Sequence, residues 1–460
     1  MSENLIAELV KGLNAKTIHE LRQLGRALGV PHPADGKKEM LIGEIISVAS
    51  GEDVQTQHSK RGAPPKSQEY DRQLAADILM CREIFLTKNL PKDEFTPKEL
   101  FVASGDVNSL DYIGGGILEY DGETWFLRTT GCKENIVADV FVNPYFINTY
   151  KLREGDYVEG RCKRASLDEM AGLASVLKIN ELHPNTSRLE FDSLSPIYAN
   201  KKLNISCGRN DKTGRIIDLL APIGAGQRVF VVSPHGCGNT RIIKDIAKGI
   251  ESNNRNVKLV MVLIDVSPED AADFTKSFGT ADVFTSSFDA GVAAHIRTMR
   301  LALEYCKRQV EMSKNVVIFV DDMTRLVRAY NSYGKATSGL DYSAVDCAKK
   351  ILAAAKNTEQ GGSLTFVSAL SLSDDVIENG AYSALKDICN AKITLSQTLA
   401  RRRIYPPIDF AETFSTADTR LLSERELQAS VKLRGKQVEE VFTLLDETQN
   451  SAQLIEKILR

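Results

Sequence analysis

Apolar and polar residues follow three different patterns along this chain of 460 residues. Over residues 3–50, apolar side chains recur every three to four positions, which is typical of amphipathic helices. Over residues 107–185, the apolar stretches are short and turn residues interrupt them, which favours β-strands. From residue 223 onward, strongly apolar stretches of strand length alternate with helical segments. The pattern therefore predicts a helical unit, a β-rich unit and an α/β unit, in that order.

Turn residues and polar stretches divide the chain further. Five short strands at this spacing predict a small Greek-key barrel of the OB or cold-shock type. Buried strands that alternate with helices predict a parallel sheet with helices on both faces. We therefore predict a helical domain, a polar linker that contains one helix, a barrel, a connector, an α/β domain and C-terminal helices, at residues 1–50, 51–106, 107–185, 186–222, 223–422 and 423–460.

Composition narrows the class of protein. Hydrophobic residues make up 43% of the chain and charged residues 26%, as in ordinary globular proteins. No apolar run reaches the roughly 18 residues of a membrane span, and the N-terminus lacks the features of a signal peptide, so we expect a cytoplasmic protein with no membrane partner. The eight cysteines include no CxxC pair, which favours free thiols over zinc ligands. With a net charge of −3, any nucleic-acid site must be a local basic patch.

The stretch SPHGCGNT, residues 233–240, lies between an apolar strand and a helical segment. Strand, glycine-bearing loop and helix form a phosphate cradle, because backbone N–H groups at a helix N-terminus point at the anion. Such a loop ordinarily ends in Gly-Lys-Thr, with the lysine on the outer phosphates and the threonine on Mg²⁺. Here Asn239 stands in the lysine position. The alternative is a simple strand-to-helix turn, with glycines that supply positive φ angles.

Several long blocks, in the same order, carry a resemblance to a known family. The segments DLLAPIGAGQRVFVVSPHGCGNT, LIDVSPED, VVIFVDDMTRLVRAYN, NTEQGGSLTFVSAL and RRRIYPPIDF resemble the bacterial transcription termination factor Rho family. The N-terminal helices and the segments LEYDGETWFLR, ADVFVNP and KLREGDYVEG resemble that family's helical cap and RNA-binding barrel. The resemblance implies a ring-shaped hexamer that binds single-stranded RNA. It also implies RecA-like P-loop domains, with ATP hydrolysed between neighbours to drive translocation.

The resemblance implies a nucleotide site for ATP and Mg²⁺. Tyr405 takes the position of the aromatic that stacks on adenine, and Arg403 keeps a cation near it. Thr240 and Asp321 take the positions of the Mg²⁺ ligands. The residues that the resemblance assigns to the nucleotide are Pro234, Gly236, Gly238, Asn239, Thr240, Arg403 and Tyr405.

The chain departs from the family's pattern at its catalytic positions. Asn239 and Gly236 replace two lysines, Val266 replaces the glutamate that activates water, and ungapped alignment puts Thr416 at the arginine finger. Valine cannot accept a proton, and phosphoryl transfer depends on stabilisation of charge. These substitutions predict weak or absent ATP hydrolysis. Asp322, beside Asp321, is a possible substitute base; the simpler alternative is an acid that faces water or a neighbouring subunit.

Aromatic and cationic residues of the barrel are the candidates for RNA binding, because single-stranded RNA is held by stacking beside cationic contacts. Phe126, Arg128 and Phe141 match family positions, whereas Trp125 replaces a glycine. Leu173 replaces a further tyrosine. The alternative for each aromatic is the barrel core. Because side chains alternate along a strand, Trp125 and Phe126 should face opposite sides.

The resemblance also implies a second RNA site in the central channel. Lys335 lies in a shortened upper loop, and Lys386 lies in a lower loop that has lost the family's glycines. Asp387 adds negative charge where RNA phosphates should pass. Contacts for translocation are therefore altered together with the catalytic positions.

The leading hypothesis is a Rho-like RNA-binding ring protein that acts in transcription termination or its regulation, with weak or absent ATP hydrolysis. One alternative is an active ATP-dependent RNA translocase with relocated catalytic groups, such as Asp322 with Arg401 or Arg402. Another is a non-catalytic subunit that modulates a true Rho hexamer. The expected partners are single-stranded RNA, further copies of this chain or another Rho in a mixed ring, and RNA polymerase.

Overall fold

The structure is a computed structural model. It describes residues 10–11, 13–28, 37–50, 111–128, 139–164, 170–334 and 339–460. The chain forms two compact units, Met1–Ala103 and Ser104–Arg460, each described here by itself. The predicted linker at 51–106 and the predicted RNA contact Lys335 lie outside the described residues.

Two helices, α1 (Ile18–Leu28) and α2 (Lys38–Ser50), pack together in the first unit. A capping box precedes α1, because Glu20 accepts from the Thr17 backbone N–H at 2.7 Å while the Thr17 hydroxyl accepts from the Glu20 N–H. Leucines and isoleucines at helical spacing are fully buried between the helices: Leu21, Leu24, Leu41 and Ile45.

A closed five-stranded barrel opens the second unit and confirms the predicted OB-like fold. The strands pair in the order β1-β2-β3-β5-β4. The strands, with the helix that follows β3, are β1 (Asp111–Tyr120), β2 (Trp125–Arg128), β3 (Val140–Val142), α3 (Pro144–Tyr150), β4 (Tyr157–Lys163) and β5 (Ala171–Ile179). Alternate apolar side chains such as Leu118 and Leu127 are fully buried inside the barrel.

The α/β domain is built on a sheet with strand order β14-β13-β7-β12-β10-β8-β9. Its long strands pair in parallel, as their continuous apolar sequences predict. The elements are β6 (Pro196–Ile197), α4 (Lys212–Leu220), β7 (Arg228–Pro234), α5 (Asn239–Asn253), β8 (Val257–Val266), α6 (Pro268–Ser277), β9 (Asp282–Ser287), α7 (Val292–Glu311), β10 (Asn315–Val320), α8 (Met323–Tyr333), α9 (Tyr342–Ala353), β11 (Lys356–Thr358), β12 (Ser363–Leu372), α10 (Val376–Leu385), β13 (Ala391–Thr394), α11 (Gln397–Arg401), β14 (Phe414–Ser415) and α12 (Asp418–Leu421).

Two hydrophobic clusters cover the two faces of this sheet. Val229 and Val231 of β7 belong to one cluster, and Phe230 and Val232 belong to the other. This alternation follows from the two-residue repeat of a strand. Because the strands are parallel, their carboxyl ends meet at one edge, where ligands bind in α/β sheets of this kind.

Charged residues join the barrel to helix α7 of the α/β domain. Arg153 forms a bidentate pair with the buried Glu311, with Nη1–Oε1 at 3.0 Å. Glu119 of β1 is fully buried and accepts from Arg297 Nη2 at 2.6 Å. Gly155 has φ 86°, and a Cβ there would lie 2.3 Å from the backbone carbon of Glu304. The barrel therefore lies directly against α7.

Three helices end the chain and pack on the first of the two clusters: α13 (Glu424–Arg434), α14 (Val438–Glu447) and α15 (Ser451–Leu459). The fully buried Arg215 of α4 stabilises them, because its guanidinium donates to the carbonyl of Leu445 at 3.0 Å and that of Asn450 at 3.1 Å. In the part of the chain that the structure describes, no helix combines the length and the apolar character that crossing a membrane requires.

Candidate functional site

The glycine-bearing loop connects β7 to α5 at the carboxyl edge of the sheet. Gly236 and Gly238 adopt φ angles of 78° and 91°, in the left-handed region that favours glycine. A Cβ at either position would meet none of the described residues within 4 Å, so the glycines serve backbone conformation rather than close packing. Thr240 is exposed in the first turn of α5. The loop thus has the backbone shape of a phosphate cradle.

Asn239 turns its side chain back onto the strand. Its Oδ1 accepts a hydrogen bond from the hydroxyl of Ser233, a buried residue near the end of β7. The amide therefore connects the two ends of the loop, and it supplies no charge. Ser233 is a contact that the sequence analysis missed.

His235 ties the same loop to two further helices. Its Nε2 lies 2.9 Å from Oε2 of Glu378 on α10, and Glu378 also pairs with Arg328 of α8 at 3.0 Å. Burial opposes ionisation of Glu378, but hydrogen bonds from Ser373 and His235 outweigh it and lower the pKa of this carboxyl. The sequence analysis missed this cluster as well.

Asp321 follows β10 at the position predicted for a metal ligand. Its Oδ1 accepts from the Ile264 backbone N–H at 3.1 Å, and its Oδ2 pairs with Arg325 at 3.1 Å. Burial raises the pKa of Asp321 to about 7, although the charge of Arg325 opposes the shift. The carboxylate and the Thr240 hydroxyl are hard oxygen donors of the kind that Mg²⁺ prefers. The residue types therefore fit the metal.

Asp322, the candidate substitute base, caps helix α8. Its Oδ1 accepts from the Thr324 backbone N–H at 2.8 Å, and its Oδ2 accepts from the Ser371 hydroxyl. The residue is 8% exposed, so the simpler alternative of an acid facing water is wrong. Both carboxylate oxygens are engaged in holding the helix start against β12.

Val266 is buried at the end of β8, where the resemblance predicts the water-activating glutamate. It is 5% exposed and belongs to the hydrophobic cluster that also contains Phe274. Thr416, at the predicted arginine-finger position, is exposed after β14, and its N–H donates to the Asn390 carbonyl at 2.7 Å. Neither side chain can exchange a proton or supply a charge.

Tyr405, the predicted adenine contact, lies along α5. Its hydroxyl donates to Asp245 Oδ2 at 2.8 Å, and the Thr213 hydroxyl donates to the same oxygen at 2.8 Å. The guanidinium of Arg241 lies 3.7 Å from the centroid of the tyrosine ring. Burial, followed by the charge of Asp245, raises the pKa of Tyr405. Arg403 is exposed after α11, with φ 61°.

Phe126, Phe141 and Arg128 lie together on one face of the barrel. The two phenylalanine rings meet edge-on with centroids 6.2 Å apart, and Arg128 Cζ lies 4.9 Å from the centroid of Phe126. Arg128 is buried between two carboxylates, with Glu119 and Asp139 each at 2.6 Å. This face offers two aromatic rings for stacking. The positive charge of Arg128 beside them is already neutralised by Glu119 and Asp139.

Trp125 lies on the other side of β2, as strand alternation predicts. Its ring contacts that of Tyr120 in a tilted arrangement, with centroids 4.9 Å apart, and it packs against the hydrophobic cluster inside the barrel. Leu173 is buried in the same cluster. Trp125 is therefore separated from Phe126, and the two do not form one surface.

The lower channel loop is a short 3-10 helix, Lys386–Ile388, directly after α10. Lys386 and Asp387 are both exposed, and the Lys386 amine lies 5.9 Å from the ring centroid of Tyr382. The structure therefore retains the predicted cation, with an acid beside it. The two residues give this loop no net charge.

Comparison with known proteins places these sites in a family. The profile of the "Rho termination factor, RNA-binding domain" matches residues 114–185. The transcription termination factor Rho of Haemophilus influenzae is 34% identical over 365 residues, which cover 76% of this chain and 85% of that protein. This chain belongs to the Rho family.

Further comparisons agree with this membership. The Rho proteins of Borreliella burgdorferi and Escherichia coli K12 are each 33% identical, over 76% and 70% of this chain and 69% and 80% of theirs. The nucleotide-binding domain profile of the "ATP synthase alpha/beta family" matches residues 214–415, which contain the phosphate loop and Tyr405. As a Rho-family chain, it keeps both domain types while its loop lacks the lysine.

Proposed function

We propose that this chain is a Rho-type RNA-binding ring protein of the cytoplasm that acts in transcription termination or its regulation, and that it hydrolyses ATP weakly or not at all. The residues of the phosphate loop are the main support for weak or absent ATP hydrolysis. Between Ser233 and Thr240 the loop contains no lysine or arginine, and Asn239 is bonded to Ser233 inside the loop.

Phosphoryl transfer requires charge stabilisation that these residues do not supply. The transition state spreads negative charge over the outer phosphate oxygens. An arginine finger alone contributes roughly 10³ to 10⁵ in rate in nucleotidases, and Thr416 carries no charge. Val266 is buried, and its side chain, at the predicted position of the water-activating glutamate, cannot accept a proton. The combined losses support the proposal that bound ATP persists.

We propose ATP with Mg²⁺ as the nucleotide. The N–H groups of the loop and of the first turn of α5 would bind the phosphates. Thr240 and Asp321 would hold the metal, which would neutralise phosphate charge. Asp321 accepts from the Ile264 backbone and pairs with Arg325, and a carboxylate has about four lone-pair sites, so it could still bind the ion.

Single-stranded RNA is the proposed ligand of the barrel. Phe126 and Phe141 offer stacking surface, which is worth about 1–3 kcal/mol per base. Arg128 is buried beside Phe126 and holds its pairs with Glu119 and Asp139, so it would support this surface and would not read bases. We further propose that RNA crosses the channel near Lys335 and Lys386, that the ring consists of six copies or includes another Rho, and that RNA polymerase is a partner.

The alternative of an active translocase requires a relocated base. Asp322 is less suited to that role, because it is buried and its side chain caps helix α8. Arg402 pairs with Glu439 at 2.6 Å in an exposed position. These contacts favour the weak-hydrolysis proposal.

RNA-stimulated phosphate release by the purified chain tests the proposal. We expect RNA to bind and phosphate release to stay near background. A lysine-bearing Rho assayed in parallel serves as the positive control for the assay conditions. Turnover by the natural chain comparable to that of a lysine-bearing Rho would defeat the proposal. Failure to bind any single-stranded RNA would defeat its RNA-binding half.

A further inference from the structure

The base end of the nucleotide site contains a residue that the resemblance does not assign. Arg241 follows Thr240 in the first turn of α5, and its guanidinium lies 3.7 Å from the ring centroid of Tyr405. Arg241 and Asp245 are four residues apart, so they lie on one face of the helix. Tyr405 contacts both, with its ring under the guanidinium and its hydroxyl on the carboxylate.

Tyr405 is fixed, whereas Arg241 is exposed. The tyrosine packs against the hydrophobic cluster, and its hydroxyl shares Asp245 with Thr213 of α4. A planar ring stacks through its two faces. The guanidinium, 3.7 Å from the ring centroid, covers one face of the ring, so a purine can stack on that face only if Arg241 moves away.

We propose that Arg241 determines the specificity of this site: it covers the base platform, so the site selects ligands by their phosphates and discriminates little between bases. The inference rests on the proposed nucleotide binding and adds which part of the nucleotide the site recognises. The expected ligand class is a Mg²⁺-bound triphosphate, with inorganic tripolyphosphate as its simplest member.

The size of the effect follows from the contact that a base must displace. Cation–π contacts at exposed positions correspond to about a two- to five-fold change in an equilibrium constant. Removing Arg241 should strengthen adenine binding by about that factor. Tripolyphosphate has no base, so its binding should not strengthen.

Equilibrium binding to the full-length protein tests the inference. The ligands are a non-hydrolysable ATP analogue, the matching GTP analogue and tripolyphosphate, each with Mg²⁺. The variants are Arg241→Ala and, as a matched loss of one exposed positive charge from the same helix, Lys248→Ala. We expect Arg241→Ala to bind the ATP analogue about two- to five-fold more tightly relative to tripolyphosphate. Lys248→Ala should leave this ratio unchanged.

Two results would overturn the inference while leaving nucleotide binding intact. One is an unchanged ratio in Arg241→Ala. The other is weaker binding of the ATP analogue relative to tripolyphosphate, which would make the guanidinium a stacking partner of the base. If neither the natural chain nor the variants bind any of the three ligands, the proposed nucleotide site itself fails.

Discussion

The side-chain oxygen of Asn239 accepts a hydrogen bond from the hydroxyl of Ser233, across the two ends of the phosphate loop. A lysine in the same position would place a mobile positive charge beside the phosphates. The neutral pair instead keeps the shape of the loop and leaves its charge at zero. The loop therefore keeps the backbone shape of a phosphate site without the positive charge of a lysine. Most of the expected behaviour of the chain follows from this difference.

Restoring the lysine should restore affinity for triphosphate. We expect Asn239→Lys to tighten binding of a non-hydrolysable ATP analogue by about 10- to 150-fold, since hydrogen bonds to charged groups are worth about 1.5–3 kcal/mol. Asn239→Met is the matched control, because it adds length without charge. Equal affinities of the two variants, measured by calorimetry, would show that charge is not what the loop lacks.

Stacking on the barrel should depend on Phe126 and not on Trp125. Phe126→Ala should weaken binding of a short single-stranded RNA by about 5- to 150-fold, the range expected from the loss of one stacked base. Trp125→Ala should lower the melting temperature, because its ring packs against Tyr120 and the barrel cluster. Fluorescence anisotropy measures RNA binding, and thermal unfolding measures stability. Weaker RNA binding by Trp125→Ala together with unchanged binding by Phe126→Ala would contradict this RNA site.

Glu119 should stabilise the contact between the barrel and α7. It is fully buried and pairs with Arg128 and Arg297. We expect Glu119→Gln to cost about 1.5–3 kcal/mol in the free energy of unfolding, because the buried Arg128 loses one of its two carboxylate partners. Asp111→Asn removes the exposed pair with Arg161 and should cost less than about 1 kcal/mol. Urea unfolding that gives equal losses for the two variants would exclude this role.

Stability should fall between pH 4 and pH 7 because of Asp321. Its pKa rises from 3.8 to about 7 on folding, so over that range the folded protein holds a proton that the unfolded chain has released. The free energy of unfolding therefore decreases as pH rises through this window, by up to about 4 kcal/mol.

Asp321→Asn is the variant that checks this pH dependence. It should be more stable than the natural chain at pH 8 and should lose that advantage towards pH 4. Urea unfolding at both pH values measures the difference. An advantage of the same size at both pH values would mean that Asp321 does not titrate in this window.

Sequence patterns predicted the parts of the fold that depend on local order. Continuous apolar stretches such as Val229 to Val232 predicted the buried parallel sheet, because a strand covered on both faces needs apolar side chains at successive positions. The opposite facing of Trp125 and Phe126 followed from the two-residue repeat of a strand. These features need only the chain's local periodicity.

The contacts that define the site join distant positions, and periodicity does not reveal them. His235 meets Glu378 from 143 residues away, and Arg297 meets Glu119 from 178 residues away. Such pairs depend on how helices α7 and α10 pack against the rest of the fold. The residues next to them in the sequence do not reveal that packing. Asp322 illustrates the same limit, since its burial depends on Ser371 of the neighbouring strand.

The fate of bound ATP distinguishes a loop that only binds nucleotide from one that hydrolyses it. The purified chain is incubated with labelled ATP, Mg²⁺ and single-stranded RNA, and the protein-bound nucleotide is then recovered and separated into ATP and ADP. A lysine-bearing Rho treated in parallel sets the time scale. We expect the label bound to this chain to remain ATP after the lysine-bearing Rho has converted its own to ADP. Bound label recovered as ADP at a similar rate would contradict the proposal of weak or absent hydrolysis.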